Sequence, residues 1–211
     1  SDGFSLGTSG NALHFTVQNI THTGKSDVGQ IILNSNNFSV GNLTIGASGT
    51  LNANSYNIKV GGNYSNSGTF GAGTGAVLFE ASDVGNTLTG TMTGSSKFNN
   101  IAFNNADGAW SFGSNSAEVG GNFSIGAGSV TAPSTNLTIA GDFINTPSTP
   151  TSFVHNSGTV ILNTTGKSEL IGDTTFNNFT VATGNKNVLF ESGDTFRFNG
   201  LLTLTGSAHD S

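Results

Sequence analysis

Ile58-Lys59-Val60-Gly61-Gly62-Asn63-Tyr64 returns about 79 positions later as Leu137-Thr138-Ile139-Ala140-Gly141-Asp142-Phe143, a spacing that belongs to a supersecondary block and not to a single hairpin. Other landmarks follow both copies in one order. Gly75-Ala76-Val77-Leu78-Phe79 corresponds to Gly158-Thr159-Val160-Ile161-Leu162, and Phe98-Asn99-Asn100-Ile101 to Phe176-Asn177-Asn178-Phe179. Trp110-Ser111-Phe112 then matches Val188-Leu189-Phe190, and Val119-Gly120-Gly121-Asn122-Phe123 has a weaker copy in Phe198-Asn199-Gly200-Leu201-Leu202. An earlier variant, Val40-Gly41-Asn42-Leu43, makes the N-terminal third the end of a preceding block. One domain, 1–211, is therefore divided into a partial block 1–56 and two blocks, 57–136 and 137–211.

Inside each block, apolar-x-apolar segments separated by Gly, Asn, Ser or Asp recur roughly every twenty residues, the length of one solenoid coil. Alternate residues of a strand share a face, so Phe38 and Val40, Ile58 and Val60, Leu137 and Ile139, and Phe196 and Phe198 are expected to point inward and stack on like residues of neighbouring coils. The glycines are expected at corners, in left-handed backbone that Gly adopts freely and Asn tolerates. An antiparallel sandwich or barrel also uses Asn-Gly and Asp-Gly turns, but it does not predict a repeated block. The sequence thus predicts an all-β parallel β-helix of about ten coils, at roughly 4.8 Å per coil a rod near 50 Å long.

Composition agrees. With 31 Gly, 3 Pro, 34% hydrophobic and 9% charged residues, the chain has too little charge for a disordered segment and too few helix formers for an α-protein. A net charge of −6, with Arg197 the only arginine, removes the electrostatic basis for nucleic-acid binding. No apolar run approaches the roughly 18 residues of a membrane-spanning helix, and no membrane insertion is expected. The absence of cysteine excludes disulfides and thiolate chemistry without fixing a compartment.

The order Gly-Thr-Gly-x-Val-x-Phe (residues 73–79), Leu-Thr-Gly (88–90), Phe-Asn-Asn-Ile (98–101) and Val-Gly-Gly-Asn-Phe (119–123) resembles the parallel β-helix repeats of bacterial surface adhesin-like proteins. More distantly it is similar to filamentous haemagglutinin and autotransporter passenger domains. The resemblance covers roughly residues 57–204. It implies secretion, a place on a cell surface or in a matrix, and membership of a longer chain; it carries no catalytic residues.

The residues themselves offer little chemistry. Polysaccharide lyases and hydrolases on a β-helix need converging carboxylates with a basic partner, whereas the twelve acids here are scattered. Glu and Asp follow a strand at Glu80/Asp83 and again at Glu191/Asp194, where corner solvation is the simpler reading and a calcium ion a weak alternative. His14, His22, His155 and His209 lack metal-ligand spacing and read as surface residues. Asn-x-Ser/Thr triplets at Asn19, Asn37, Asn42, Asn63, Asn122, Asn136, Asn163 and Asn178 are read as corner residues, with stacked side-chain amides along the solenoid, ahead of glycosylation sites. Tyr56, Tyr64 and Trp110 are the aromatics that could stack on sugars, though Trp110 aligns with Val188 and could be core; Thr-Leu-Thr at 87–89 and 203–205 is too sparse for a flat array.

No residue is assigned a catalytic, cofactor-binding or metal-binding role, and no cofactor is expected. The expected function is an extracellular structural or adhesive repeat module of a bacterial surface protein, fibre or matrix, self-associating end to end where uncapped terminal coils leave backbone groups unpaired, or joined to adjoining repeats. A carbohydrate-binding adhesin segment is the alternative, and a polysaccharide-degrading enzyme is a third reading. An adhesin of this kind would show aromatics in line on one face, and an enzyme would bring at least two carboxylates together in a groove.

Overall fold

The computed structural model describes residues 38–149 and 151–205, together with the strands His14–Val17, Ile20–His22, Lys25–Asp27 and Gln30–Ile32, of which only the backbone is described. The strands wind as a parallel β-solenoid with three faces. Its first face stacks Phe38, Ile58, Val77, Ile101, Phe123, Phe143, Leu170 and Phe190 in direct register. The second runs from His14–Val17 through Asn42–Ile45, Tyr64–Asn66 and Asn86–Gly90 to the later parts of Asn100–Ser111 and Phe123–Thr131, then Phe153–Val154. Thr174–Phe176 and Phe196–Phe198 follow Phe153–Val154 as the last two strands of this face. The third face pairs Gln30–Ile32, Thr50–Asn52 and Thr69–Gly71, and then Ala117–Val119, Asn136–Ile139, Thr159–Leu162, Asn178–Val181 and Leu202–Leu204.

Between those two stretches of the third face, the short 3-10 turn Gly94–Ser96 interrupts the sheet. The buried Ser96 hydroxyl there accepts the Phe70 N–H at 3.1 Å, taking over a ladder bond that a strand would have made.

Among the described residues the first-face column has eight levels, a stack of about eight turns where ten were expected. Successive turns advance by 19 to 27 residues, because corners carry loops of different length. The longest turn, from Phe143 to Leu170, includes residues 146–152 and 163–165 outside any long strand. Seven spacings of about 4.8 Å give a stack of roughly 34 Å.

Alternation works as the pattern requires. Ile58 and Val60 are buried while Lys59 between them is exposed, and Phe123 and Ile125 are buried around half-exposed Ser124. Rings stack in parallel along the axis at Phe79/Phe103 (5.1 Å, 16°), Phe123/Phe143 (5.5 Å, 13°) and Phe176/Phe198 (5.7 Å, 16°), with edge contacts linking the columns of different faces. Each coil is too short to enclose a core, and its neighbours supply the missing walls.

The two copies of the repeat lie on different faces. Ile58–Val60 is in the first face and its copy, residues 137–139, is in the third. Val77 is in the first and Val160 in the third; Ile101 is in the first and Phe179 in the third; Trp110 is in the second and Val188 in the first. Seventy-nine residues span three turns and two further faces, so the second copy is rotated by one face relative to the first.

Candidate functional site

The corners are the most regular polar feature of the molecule. At the corner into the second face, Asn42 Oδ1 accepts the Asn63 N–H of the next coil (2.7 Å), and Asn63 Oδ1 accepts the Thr87 N–H of the one after (2.8 Å). At the corner into the first face the chain is longer: Asn100 accepts from Asn122 N–H (2.8 Å), Asn122 from Asp142 N–H (2.9 Å), and Asp142 from Glu169 N–H (2.8 Å). At the corner into the third face, Asn178 Oδ1 accepts the Leu201 N–H at 2.8 Å. The corner side chains do form ladders, but not the expected ones of amide on amide: each side-chain oxygen accepts a backbone N–H of the next coil, and Asn63 Oδ1 accepts the Thr87 hydroxyl as well (3.1 Å). Asn19 and Asn37 lie outside the described residues; Asn136 and Asn163 are exposed.

This ladder also accounts for the glycine that precedes the corner residue. A Cβ at Gly62, Gly121, Gly141 or Gly200 would lie 2.2 to 2.5 Å from the Oδ1 of the corner asparagine one coil earlier. These four glycines have ordinary negative φ, which corrects the expectation of left-handed backbone there: the requirement is space for a side chain about twenty residues away. Left-handed glycines occur elsewhere, notably Gly90 and Gly172, both at φ +86.

Two asparagines with no exposed surface, Asn66 and Asn145, sit in core positions. Asn66 donates to Thr91 O (2.8 Å) and accepts the Gly68 N–H (3.0 Å). Asn145 donates to Asp173 O (2.9 Å) and Thr174 Oγ1 (3.2 Å) and accepts the Ser152 hydroxyl (2.7 Å). Each amide both donates and accepts, as burial demands.

The carboxylates of the calcium alternative divide. Glu80 pairs with Lys59 Nζ (3.0 Å) and Asp83 accepts from Asn86 Nδ2 (2.9 Å), so both are engaged locally. Glu191 and Asp194 do approach one another on the surface. A hydrogen bond that the protonated Glu191 carboxyl donates to the Asp194 carboxylate, with some desolvation and the charges of Asp194 and Glu169, raises the Glu191 pKa above its ordinary value, while Asp194 Oδ2 accepts the Gly172 N–H. Glu169 is paired with Lys167. Among the described residues no group of three or more His, Asp or Glu side chains is placed to hold a metal ion.

His155 accepts the Ser157 N–H at Nδ1 (3.0 Å) and lies beside Asn199. The side chains of His14 and His22, and all of His209, lie outside the described residues. Tyr64 and Trp110 are buried, at 0% and 2% exposure, so neither offers a ring to a sugar; Tyr56 is half-buried. The Tyr64 hydroxyl and Trp110 Nε1 have no partner within hydrogen-bond geometry, and burial, opposed by the neighbouring Asn66 side chain, pushes the phenol pKa far up.

Two surface features remain. A shallow lateral groove of about 460 Å³ runs over the corner between the first and second faces, lined by Val84, Asp107, Gly108, Gly126, Gly128 and Pro147 among others. The second is the last coil. Phe190, Leu202 and Leu204 are 48%, 43% and 69% exposed, although their column partners Leu170, Phe179 and Val181 are buried. Its apolar-x-apolar pattern is the same as that of interior coils, so the residues of this coil do not themselves mark it as exposed.

Fold and surface together define a three-faced parallel β-solenoid. No protein-family model, curated protein or solved structure matches the chain. Among the described residues no helix is long and apolar enough to cross a membrane.

Proposed function

We propose that the chain is an extracellular structural or adhesive segment of a bacterial surface protein, a stiff spacer whose partners are its own kind or adjoining repeats. The observation that carries this reading is the coil-to-coil ladder of Asn42–Asn63–Thr87 and Asn100–Asn122–Asp142–Glu169, which commits the corner side chains to holding successive coils at a fixed spacing. Chains of this kind gain stability from nearest-neighbour interfaces, which suits a load-bearing element of adjustable length. The sequence resemblance to adhesin-like repeats supplies the location.

An antibody against the chain, applied to intact and to permeabilised source cells, tests that location. Labelling of intact cells is the expected result; labelling only after permeabilisation overturns the extracellular reading. A panel of polysaccharides incubated with the chain tests its role: no release of reducing ends is expected, and release would replace the structural reading with an enzymatic one.

A further inference from the structure

At the corner from the first face to the second, the early coils turn tightly through Gly41 and through Gly61-Gly62, and the ladder that starts at Asn42 ends on Thr87. The next four coils depart from this pattern. Their connections run through residues 80–85, 104–108, 126–128 and 146–152, with register shifts on both sides of Asn104, before the corner tightens again at residues 172–173. The lateral groove of about 460 Å³ occupies this widened stretch, within the range of about 300–1,000 Å³ typical of small-molecule sites. In a solenoid the repeated parts carry the architecture, which leaves an unrepeated corner free for another task. Glycines strip the groove floor of side chains: a Cβ at Gly108 would lie 2.2 Å from Trp110 Cη2 and 2.5 Å from Ala81 O, and one at Gly128 2.4 Å from Asn105 O. The single tryptophan therefore lies directly beneath that floor. The walls include Pro147 and Val84, which at 76% exposure is the most exposed large apolar side chain among the described residues. The Asp107 carboxylate and the hydroxyls of Ser129 and Thr146 line the same groove, and among the described residues none of the three has a hydrogen-bond or ion-pair partner.

We propose that this groove binds a neutral oligosaccharide. The inference deepens the adhesive part of the reading above and rests on it. Unengaged polar groups converge there beside a small apolar platform, the combination that fixes the orientation of a hydroxyl-rich ligand. The Asp107 carboxylate accepts hydrogen bonds from sugar hydroxyls, and Ser129 and Thr146 both donate and accept. Val84 and Pro147 offer apolar surface to the C–H face of a ring, the part that exposed aromatic rings would otherwise have played. Asp107 is the only charged residue in the lining, so uronic, sialic and phosphorylated sugars are repelled and a neutral one is not. A peptide strand fits less well, because the strands around the groove are already paired on both sides and offer it no open backbone edge. One carboxylate does not make the acid and base pair of glycoside hydrolysis, so the groove holds its ligand without cutting it.

The 211-residue chain is to be passed over immobilised short linear oligomers of glucose, galactose, mannose and xylose, with oligogalacturonate as the acidic counterpart. Retention on at least one neutral series and none on oligogalacturonate is expected. Titration with the retained sugar should change the emission of Trp110, the built-in reporter under the floor. Asp107→Ala should weaken binding by about tenfold or more and Val84→Ser by about threefold, while Thr138→Ala, on the third face, should leave it unchanged. Asp107 and Val84 are both exposed, so the thermal unfolding midpoints of their variants should stay near that of the parent, which separates lost binding from lost folding. Failure to retain any neutral series, equal binding of oligogalacturonate, binding that leaves Trp110 emission unmoved, or affinity that survives both Asp107→Ala and Val84→Ser would each overturn the proposal. Surface labelling of cells by the antibody without sugar binding would end this inference and leave the surface reading standing; sugar binding by a chain labelled only after permeabilisation would do the reverse.

Discussion

The coil that begins with Tyr64 and the coil that begins with Phe143 are the same device built on different walls. Tyr64–Asn66 lies on the second face and pairs with Asn86–Gly90; Phe143–Asn145 lies on the first and pairs with Gly166–Ile171. In both, a buried asparagine donates to a carbonyl in the next coil, at Thr91 or Asp173, and a left-handed glycine, Gly90 or Gly172, passes directly over the asparagine's own carbonyl. The difference in wall with likeness of contact teaches that these two corners are chemically equivalent, and that the sequence encodes a step from face to face and not a whole turn.

The comparison can be broken most forcefully at the ring. Tyr64→Ala and Phe143→Ala each remove a fully buried aromatic, and about 3–5 kcal/mol of stability should be lost in each, read by denaturant unfolding. Next in size are Gly90→Ala and Gly172→Ala. A Cβ would lie 2.1 Å from Asn66 O in one and 1.9 Å from Asn145 O in the other, on left-handed backbone, and a loss of about 2–4 kcal/mol is expected from either. Equal losses at the two sites would support equivalence of the walls; a loss at only one would end it.

Smaller changes sharpen the contrast. Asn145 has three side-chain partners, Asp173, Thr174 and Ser152, to the two of Asn66, Thr91 and Gly68, so Asn145→Ala should cost about 3 kcal/mol and Asn66→Ala about 1–2 kcal/mol, measured by thermal unfolding. Tyr64→Phe, which gives the first copy the ring of the second, deletes a buried hydroxyl without a partner and should stabilise the protein by about 1 kcal/mol.

The smallest effect concerns Glu191, exposed at the equivalent of a corner. Its folded pKa is raised, so the folded state binds the proton more readily than the unfolded chain. Stability should therefore fall slightly as pH rises from the ordinary carboxylate range through the raised value, and Glu191→Gln should flatten that part of the pH profile.

Much of the architecture was legible because it depends on local alternation. Ile58 and Val60 announce an inward pair by spacing alone, and the recurrence of that pattern with Gly-Asn separators is enough to distinguish a solenoid from a sandwich. The count of turns was not legible, since residues 146–152 lengthen a corner without changing the strands around it. The reason for the glycines was misread for a related cause: what crowds Gly121 is Asn100 Oδ1, which is a neighbour only after the coil has closed. The exposed leucines of the last coil carry no local mark at all, for position in a stack is a property of what lies beyond a strand and not of its own residues.

A repeat that advances three turns and two faces behaves like a screw whose thread pitch and unit of manufacture do not match. Gain or loss of one such unit during replication would lengthen or shorten the rod and, at the same stroke, change the compass bearing of everything beyond it by one third of a revolution. Copy-number variation in such a gene would thus be a rotary adjustment as well as a linear one, turning a distal surface toward or away from its target without altering a residue of it.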